Sequence, residues 1–424
     1  MLEAALGSGV AEHRAVYEVF ARGLPPGRRY GVFAGLGRLI GAIGDFRFDP
    51  GTLKWLTGEG VIGPTAASFL KRWSFAGAID AYAEGECFFP GSPVLTVETT
   101  FGSGVILETL ILSVLNFDSA VASAASRMVG AAEGRPVVEM GSRRTEERAA
   151  VSAARAAYVA GFSSTSNLAA GRRFGIPTAG TAAHAFVLAH PSERAAFEAQ
   201  IRAMGTGTTL LVDTYSVKEA IVTGVEVARA AGAKGPGAIR LDSGDLVADA
   251  RLARRLLDDL GACETRIIVT GDLDEYAIAA LAAAPVDAYG VGTNVVTGSG
   301  APTAGFVYKL VAVAASTAAD APLVPVAKRS PDKTSPGGRK HAVRLIDEEG
   351  RARLELVGLE GAALVDHALP SLGEGAIAYA TEPDATEPDA TESVPGAWGG
   401  RELQRRVMDN GVAVGTEVAL KDAR

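Results

Sequence analysis

The sequence contains three consecutive apolar runs, Thr208-Thr-Leu-Leu-Val-Asp213, Ala238-Ile-Arg-Leu-Asp242 and Arg266-Ile-Ile-Val-Thr-Gly271. Each run ends in an acid or a glycine, and segments with helical periodicity over 216–231 and 246–260 separate them. Strands of a buried parallel sheet are continuously apolar, and helices connect one strand to the next. The three runs therefore predict β-α-β units with polar carboxyl ends.

The same pattern extends in both directions along the chain. Pro136-Val-Val-Glu-Met-Gly141 predicts a strand before a helix over 146–159, Pro177 to Thr181 predicts a short strand, and Val286-Asp-Ala-Tyr-Gly-Val-Gly292 predicts the last one. No Gly-x-Gly-x-x-Gly motif follows the first strand, so a barrel is favoured over a dinucleotide-binding sheet. We interpret 120–298 as a TIM-like α/β barrel, a fold whose chemistry lies at the carboxyl ends of the strands.

The chain before the barrel, 1–119, mixes helix and strand signals. The segment from Glu12 to Arg22 predicts a helix, whereas the segment from Val94 to Thr100 predicts a strand. Glu108 begins a long apolar helix that runs through the alanine-rich segment 119–132.

The chain after the barrel, 299–424, predicts strands over 307–313 and 353–357. Between them lies a basic loop from Lys328 to Lys340, which is interpreted as solvated, although its Gly and Pro content would let it close over an anion. A charged linker near 381–392 carries a tandem Thr-Glu-Pro-Asp-Ala repeat and is predicted to be disordered, because it has nothing to bury.

Composition restricts the class of protein. The chain has 424 residues, of which 48% are hydrophobic, enough for a large core and two domains. Its net charge of −8 gives no field that favours nucleic acid or an anionic membrane. Cys87 and Cys263 form neither a disulfide framework nor a zinc motif, and Met1 to Leu6 lacks the basic region of a signal peptide. We expect a cytoplasmic protein with no nucleic-acid or membrane partner.

Charged residues follow two of the predicted strands. Arg240, Asp242 and Asp245 lie around a Ser-Gly turn, and Asp213 ends the preceding strand. An aspartate at a helix start often serves only as a cap, and that is the simpler interpretation of any one of these acids. An arginine two residues before Asp242, on the same strand face, is not explained by capping.

Glycine-rich turns follow the last two predicted strands, at Thr270-Gly271-Asp272 and Gly290-Val-Gly292-Thr293-Asn294. The final loops of a barrel are the usual phosphate site, because backbone N–H groups and a helix start face the anion there. The first strand closes with Arg143 and Arg144. Adjacent strand residues point to opposite faces, so one of the two is expected in the site. A surface ion pair with Glu146 or Glu147 is the alternative.

His184 lies in the segment Gly180-Thr-Ala-Ala-His184, at a predicted corner between strand and helix. Neutral imidazole can accept a phosphoryl group or relay a proton near neutral pH. A cap or a packing residue is the simpler interpretation of a single histidine. Together with the phosphate-type loops, the arginines and carboxylates able to hold Mg²⁺, however, His184 indicates a site for a polyanion and a small acid.

These residues resemble the nicotinate phosphoribosyltransferase family in its actinobacterial form. The resemblance extends from about Tyr17 to Lys340 and rests on these stretches: EMGSRRTEERAAVSAARAAYVAGFSSTSNLAAGRRFGIPTAGTAAHAF, LLVDTYSV, IRLDSGDL, VTGDLDEY, YGVGTNVVTGSGAPTAGFVYKLV and KRSPDKTSPGGRK. It implies a type II phosphoribosyltransferase fold, in which an irregular α/β barrel is accompanied by a mixed α+β domain. Both chain ends, 1–119 and 299–424, are expected to build that second domain.

The resemblance also implies an activity in NAD salvage. Nicotinate and phosphoribosyl diphosphate (PRPP) would give nicotinate mononucleotide and pyrophosphate, with ATP hydrolysis coupled to the transfer. ATP and Mg²⁺ are the expected cofactors, and a homodimer is the expected assembly. The ligands of a metal ion stay open.

Roles for individual residues follow from the same resemblance. His184 is expected to be phosphorylated by ATP, with Asp213 and Asp242 among the site carboxylates. The substrate-binding residues are expected to be Arg144, Thr181 and Arg240 for nicotinate, with Gly271, Gly290, Gly292 and Thr293 in the phosphate loops.

One departure from the family pattern lies at the start. Family members begin with a Thr-Asp-x-Tyr-x-Leu-Thr segment whose Tyr stacks on nicotinate, whereas this sequence begins at Met1-Leu2-Glu3-Ala4, which matches the residues just after that segment. Loss of the ring would weaken nicotinate binding by about 1 kcal/mol or more. The alternatives are an N-terminally truncated, weakly active or regulatory paralogue and a nicotinamide or quinolinate phosphoribosyltransferase. Quinolinate would need a second cationic cluster for its extra carboxylate.

Overall fold

The computed structural model describes residues 1–328, 336–359 and 399–414 in full and the backbone of 377–380. The described chain divides into two compact units. One unit contains residues 1–119 and the described residues from 303 onward, and the other contains residues 120–302. The predicted linker near 381–392 lies outside the described residues.

The unit built from both chain ends is a mixed α+β domain. Its helices are α1 Leu2–Gly7, α2 Leu36–Asp45, α3 Pro50–Gly58, α4 Pro64–Arg72 and α5 Phe101–Ala131, the last of which continues into the other unit. Its strands are β1 Arg14–Ala21, β2 Gly31–Val32, β3 Ala78–Ala81, β4 Cys87–Phe88, β5 Leu95–Thr100, β12 Phe306–Ala314, β13 Leu323–Pro325, β14 Lys340–Ile346, β15 Ala352–Leu359, β16 Ile377–Ala380, β17 Gly399–Glu402, β18 Arg405–Asp409 and β19 Val412–Ala413.

Antiparallel sheets organise this domain. A seven-stranded sheet has the order β13-β12-β1-β5-β3-β18-β19, and a four-stranded sheet has the order β16-β15-β14-β17. Strand β1 is central, since it pairs with β5 on one side and with β12 on the other. The predicted mixed α+β domain built from both chain ends is therefore confirmed.

The predicted helix over 12–22 is wrong, because most of this segment forms β1. Every residue from Ala15 to Ala21 is buried, on both faces of the strand. Burial on both faces removes the polar alternation that marks a strand in sequence, and the remaining apolar run also fits a buried helix. Val16 and Val19 are β-branched and Tyr17 and Phe20 are aromatic, so the composition of the run favours the strand.

Helix α5 confirms the long apolar helix and begins earlier than predicted, at Phe101. By length and composition it could cross a membrane, and half of its most apolar window is buried within the protein. Leu107, Ile111 and Leu115 lie in the hydrophobic core, and Asp118 pairs with Arg38 over 2.8 Å. Packing in a protein core accounts for its apolar character.

The end of the basic loop, Arg339 and Lys340, is not solvated. Residues 329–335 of the loop lie outside the described part of the chain. Arg339 pairs with Asp80 over 2.6 Å and with Glu98 over 3.0 Å. Lys340 is buried and pairs with Glu18 over 2.6 Å. These two cations are therefore engaged within the α+β domain, and the prediction of a solvated loop is wrong for them.

The other unit alternates short strands with helices. Its strands are β6 Val137–Glu139, β7 Ser164–Thr165, β8 Thr209–Leu211, β9 Ala238–Leu241, β10 Arg266–Val269 and β11 Ala288–Val291. Its helices are α6 Glu147–Val159, α7 Leu168–Phe174, α8 His184–Leu188, α9 Glu193–Met204, α10 Val217–Ala230, α11 Leu246–Asp259, α12 Glu275–Ala280 and α13 Thr293–Val296. The β-α rhythm predicted from the sequence is confirmed.

All six strands of this unit are parallel, in the order β7-β6-β11-β10-β9-β8. The predicted strand at 177–181 is reduced to a single parallel bridge between Thr178 and Thr165. Within 120–302, no ladder closes the sheet between that bridge and β8. The irregular α/β barrel is thus confirmed as a curled parallel sheet that stays open. Its strand ends share one edge, where the site residues lie.

Candidate active site

The carboxyl ends of β8, β9 and β10 bring three polar residues together. Asp213 follows β8, Asp242 follows β9 and Thr270 follows β10. The Asp242 backbone N–H donates to Asp213 Oδ2 over 2.9 Å, and the Thr270 hydroxyl donates to Asp242 Oδ1. Neighbouring strands are therefore linked at the edge by side chains as well as by the sheet.

Arg240 lies on β9, and its guanidinium is held at three points. Nε donates to Thr270 Oγ1 over 2.8 Å, Nη1 to Thr181 Oγ1 over 2.7 Å and Nη2 to Asp242 Oδ1 over 2.6 Å. Nη1 also donates to the Ala182 backbone oxygen over 3.5 Å. The second N–H of Nη2 has no partner among the described residues. The guanidinium is thus fixed in place while one donor stays available for an anionic ligand.

The two oxygens of Asp242 have different surroundings. Oδ1 accepts from Arg240 and Thr270, whereas Oδ2 lies 3.7 Å from His184 Nε2. Burial raises the pKa of the Asp242 carboxyl, but the hydrogen bonds from Thr270 and Arg240 and the charges of Arg240 and His184 outweigh it, so the pKa lies below its ordinary value. Asp242 is accordingly an ionised carboxylate at neutral pH.

The two carboxylate oxygens of Asp213 also have different surroundings. Oδ2 accepts from the Asp242 backbone and from the Ser243 hydroxyl, over 2.9 Å and 2.7 Å. Oδ1 is buried and has no hydrogen-bond partner among the described residues, and the side chain as a whole is only 4% exposed. Leaving a buried carboxylate oxygen unpaired is costly. This oxygen, 3.9 Å from His184 Nε2, therefore indicates a place for a ligand.

His184 is the first residue of α8 and is not its cap, since Ala183 holds that position. Its Nδ1 lies 3.1 Å from Thr214 Oγ1, a hydrogen-bond distance. Its Nε2 lies near both Asp213 and Asp242, and the side chain is 39% exposed. One ring nitrogen is thus engaged by a hydroxyl while the other faces two carboxylates and remains open to solvent.

The capping interpretation applies to Asp245 and not to Asp242. Asp245 Oδ1 accepts from the Ala248 backbone N–H over 3.0 Å and caps α11. Asp242 makes no such contact and is instead tied to Arg240 and Thr270. Two acids of one loop therefore have separate roles, which the sequence alone left open.

The two glycine-rich turns lie at the same edge. A Cβ on Gly290 would lie 2.6 Å from the Thr270 side chain, and Gly292 precedes α13, which begins at Thr293. The Asn294 side-chain amide donates to the backbone oxygens of Asp272 and Leu273 over 3.0 Å and 3.1 Å. One turn thus supports the other.

Gly271 is required both by backbone conformation and by space. Its φ is +107°, and a Cβ there would lie 2.3 Å from the Asp242 backbone oxygen. Gly232 also has a positive φ, +87°, but a Cβ there would meet nothing within 4 Å. A side chain at Gly232 would therefore cause conformational strain alone, whereas a side chain at Gly271 would cause both strain and a steric clash.

We expect Gly271→Ala to lower the free energy of unfolding by about 3 kcal/mol, since backbone strain and a clash with the Asp242 backbone act together. Gly232→Ala should lower it by about 1 kcal/mol through strain alone. Urea unfolding at pH 7 measures both values. Equal losses in the two variants would contradict the close approach of Gly271 to Asp242.

The end of β6 is fixed by a residue that the sequence did not single out. Glu139 is fully buried and accepts from the Gly141 backbone and the Thr165 hydroxyl. Burial raises the pKa of its carboxyl, although these two hydrogen bonds oppose the rise. Glu139 thus holds the turn that leads to the two arginines.

Arg143 and Arg144 are both exposed. Neither guanidinium forms an ion pair or side-chain hydrogen bond with any residue that the structure describes. Glu146, one of the expected partners, instead caps α6 by accepting from the Ala149 backbone over 2.9 Å. The surface ion pair with Glu146 is therefore absent, and both arginines stay available to a ligand.

Sequence reasoning also missed the hydroxyl groups of the site. Thr214, Ser243 and Thr270 contact His184, Asp213 and Asp242 respectively. The three residues share one feature in the sequence: each lies at the end of an apolar run or directly after it. Threonine and serine are common in strands and turns, so that signal is weak.

Comparison with known proteins gives a consistent result. Residues 1–116 match the family model of the nicotinate phosphoribosyltransferase (NAPRTase) N-terminal domain. The chain is 57% identical over 365 residues to nicotinate phosphoribosyltransferase pncB1 of Mycobacterium tuberculosis, across 84% of this chain and 78% of that protein. It is 36% identical over 357 residues to the Bacillus subtilis nicotinate phosphoribosyltransferase, across 82% of this chain and 71% of that protein.

A solved structure supports the same architecture. The crystal structure of human nicotinic acid phosphoribosyltransferase matches with a TM-score of 0.81 over 100% of this chain and 90% of that chain. The identity is 24%, so this likeness shows the fold alone.

Proposed function

The chain belongs to the nicotinate phosphoribosyltransferase family, and we propose that its site transfers the phosphoribosyl group of PRPP to nicotinate in a reaction coupled to ATP, as a step of NAD salvage. The nicotinate ring nitrogen forms a bond to C1 of the ribose while the bond from C1 to pyrophosphate breaks. The products are nicotinate mononucleotide and pyrophosphate.

The carboxylates match the charge that develops in this reaction. Departure of pyrophosphate gives C1 a positive, oxocarbenium-like character, which fixed negative charge nearby stabilises. Asp242 and Asp213 each use one oxygen to hold the site together, and the other oxygen of each lies within 4 Å of His184 Nε2. No reorganisation of these groups is needed when the charge appears.

Recognition of nicotinate falls to the arginines. A carboxylate is matched by the planar donor fork of a guanidinium. Arg240 keeps one N–H donor, on Nη2, beyond its contacts with Thr181, Ala182, Thr270 and Asp242, and Arg144 is exposed at the end of the neighbouring β6 turn. We assign the nicotinate carboxylate to these two side chains. Gly271, Gly290, Gly292 and Thr293 line the turns proposed for the phosphate groups.

ATP enters the proposal through His184. An imidazole nitrogen attacks the γ-phosphorus, the bond to ADP breaks, and later attack of water on the phosphohistidine releases phosphate and restores the histidine. Thr214 fixes the ring through Nδ1, and the partial exposure of the ring leaves room for the nucleotide. Phosphorylation changes the charge of the site, which is a means of coupling ATP hydrolysis to substrate affinity.

The donor set also fits Mg²⁺. No group of three or more His, Cys, Asp or Glu side chains with metal-ligand geometry occurs among the described residues. Mg²⁺ is usually held by one or two carboxylates together with substrate phosphates, and the unpaired Asp213 Oδ1 and the outward Asp242 Oδ2 supply two such oxygens. When bound, Mg²⁺ would neutralise the charge of the pyrophosphate group.

We further propose a cytoplasmic homodimer. Leu188 and Tyr215 are large apolar side chains that are mostly exposed and lie close in sequence to site residues, and we assign them to the surface that the second subunit covers. Cys87 and Cys263 are both free, as in proteins of reducing compartments.

The observation that carries the proposal is the convergence of His184, Asp213, Asp242 and Arg240 at one strand edge. The test is a mononucleotide assay with PRPP and radiolabelled nicotinate, with and without ATP and Mg²⁺. We expect product that increases with ATP, and little product when nicotinamide or quinolinate replaces nicotinate. Preference for nicotinamide or quinolinate would reassign the substrate, and no turnover with any of the three would overturn the proposed activity.

A further inference from the structure

Thr270 forms hydrogen bonds with two charged side chains of the site, Arg240 and Asp242. It is buried at the end of β10 and contacts both Arg240 and Asp242 through one hydroxyl oxygen. Arg240 Nε lies 2.8 Å from that oxygen, and Asp242 Oδ1 lies within hydrogen-bond distance on its other side.

Elementary chemistry fixes the direction of both hydrogen bonds. A guanidinium can only donate, so Thr270 Oγ1 accepts from Arg240. The hydroxyl has a single proton, and the acceptors within reach are Asp242 Oδ1 and, at 3.4 Å, the Leu241 backbone oxygen. The Leu241 oxygen is neutral and lies at the far limit of hydrogen-bond distance, whereas Asp242 Oδ1 is much closer and carries negative charge. The Thr270 proton therefore belongs to the Asp242 carboxylate.

This arrangement decides which carboxylate oxygen is left for chemistry. Asp242 Oδ1 receives both the Thr270 hydroxyl and Arg240 Nη2. Oδ2 receives neither and lies 3.7 Å from His184 Nε2. Without the hydroxyl, Oδ1 would keep only Arg240, and rotation of the carboxylate would be less restricted.

We propose that Thr270 is a positioning residue of the transferase: its hydroxyl holds Asp242 with Oδ2 directed at His184, and orients Arg240 through Nε. This proposal rests on the proposed function for its catalytic readout. Thr270 touches no substrate in this role and acts through its two neighbours.

The test compares Thr270→Val, which removes the hydroxyl at nearly constant volume, with Thr270→Ser, which keeps it. We expect kcat/KM of Thr270→Val to fall about tenfold or more at neutral pH, the scale of one hydrogen bond to a charged group. Because Thr270 touches no substrate, the loss should appear in kcat, and Thr270→Ser, which restores the hydroxyl, should recover most of it. An unchanged kcat in Thr270→Val, or an equal loss in Thr270→Ser, overturns the proposal.

Two measurements keep the test decisive. Thr270→Ala is a second hydroxyl-free variant for the case in which the valine variant does not fold, and circular dichroism checks the fold of each. The Arg240 Nε–H resonance, assigned in NMR spectra by its loss in Arg240→Lys, is compared at one pH between wild type, a hydroxyl-free variant and Thr270→Ser. A resonance that moves in the hydroxyl-free variant and stays in place in Thr270→Ser supports the proposal even if wild type makes no mononucleotide, a result that would overturn the proposed function alone. A resonance that does not move in the hydroxyl-free variant overturns the role of Thr270.

Discussion

Replacement of His184 by alanine is expected to abolish the transfer of phosphate from ATP to the protein. The ring is the only imidazole in the described part of the site; its Nδ1 is fixed by Thr214 and its Nε2 faces Asp213 and Asp242. Radiolabel from the γ-position of ATP, followed by acid-labile release, measures the phosphohistidine. We expect complete loss of label and at least a 10²-fold loss of the ATP-stimulated rate of mononucleotide formation.

His190 supplies a matched control, because it lies six positions further along the same segment. Its Nδ1 is bonded to the Phe186 backbone oxygen over 2.7 Å, and its ring packs on Phe186. His190→Ala should therefore keep both label and activity. Label that persists in His184→Ala, or that disappears only in His190→Ala, would show that another residue accepts the phosphate.

Substitution of Asp242 by alanine should lower kcat by roughly 10²-fold or more and should also lower the free energy of unfolding by about 1–3 kcal/mol, because Arg240 and Thr270 lose their acceptor. The carboxylate stabilises developing positive charge and holds the Arg240 guanidinium, and preorganised electrostatic contacts of this kind contribute strongly to rate enhancement in enzymes. Steady-state kinetics with nicotinate and PRPP measures the loss. Urea unfolding of the same preparation shows whether the fold is retained.

Asp245→Ala is the control from the same loop and should lose stability without losing activity. Removal of the α11 cap is expected to cost about 1 kcal/mol of stability and to leave kcat nearly unchanged. If the two alanine variants lost activity to the same extent, the separation of the loop into a site acid and a capping acid would be wrong.

The positions of the strand ends could be predicted from the sequence, because each buried parallel strand is a continuous apolar run that can be recognised without its partners. Apolar runs that end in Asp213, Asp242 and Gly271 are enough to place those residues at one edge. The roles of Asp242 and Asp245 could not be separated in the same way. Either acid can cap a helix, and only the three-dimensional contacts to Ala248 or to Arg240 distinguish them.

Other features depend on contacts between distant parts of the chain. The hydrogen bond from Thr270 to Asp242 joins two strands, and the sequence marks Thr270-Gly271 only as a turn, without indicating this contact. Strand β1 resembles a helix in sequence because its apolar residues lie on both faces, and its pairing with β5 and β12 is not visible locally. Whether the barrel closes likewise depends on hydrogen bonding between its first and last strands, which the periodicity of a single segment does not predict.

The pairing of β1 with β12 has a consequence for biosynthesis. About 280 residues separate the two strands along the chain, and the whole parallel-sheet unit lies between them. At ribosomal rates of about 5–20 residues per second, one side of β1 stays without its partner for roughly 15–60 s after β1 has been made. The barrel is contiguous and can fold on the ribosome during that interval. An apolar strand with an open edge invites association with other nascent chains, so the interval in which β1 waits for β12 is the period when the newborn protein most needs a chaperone.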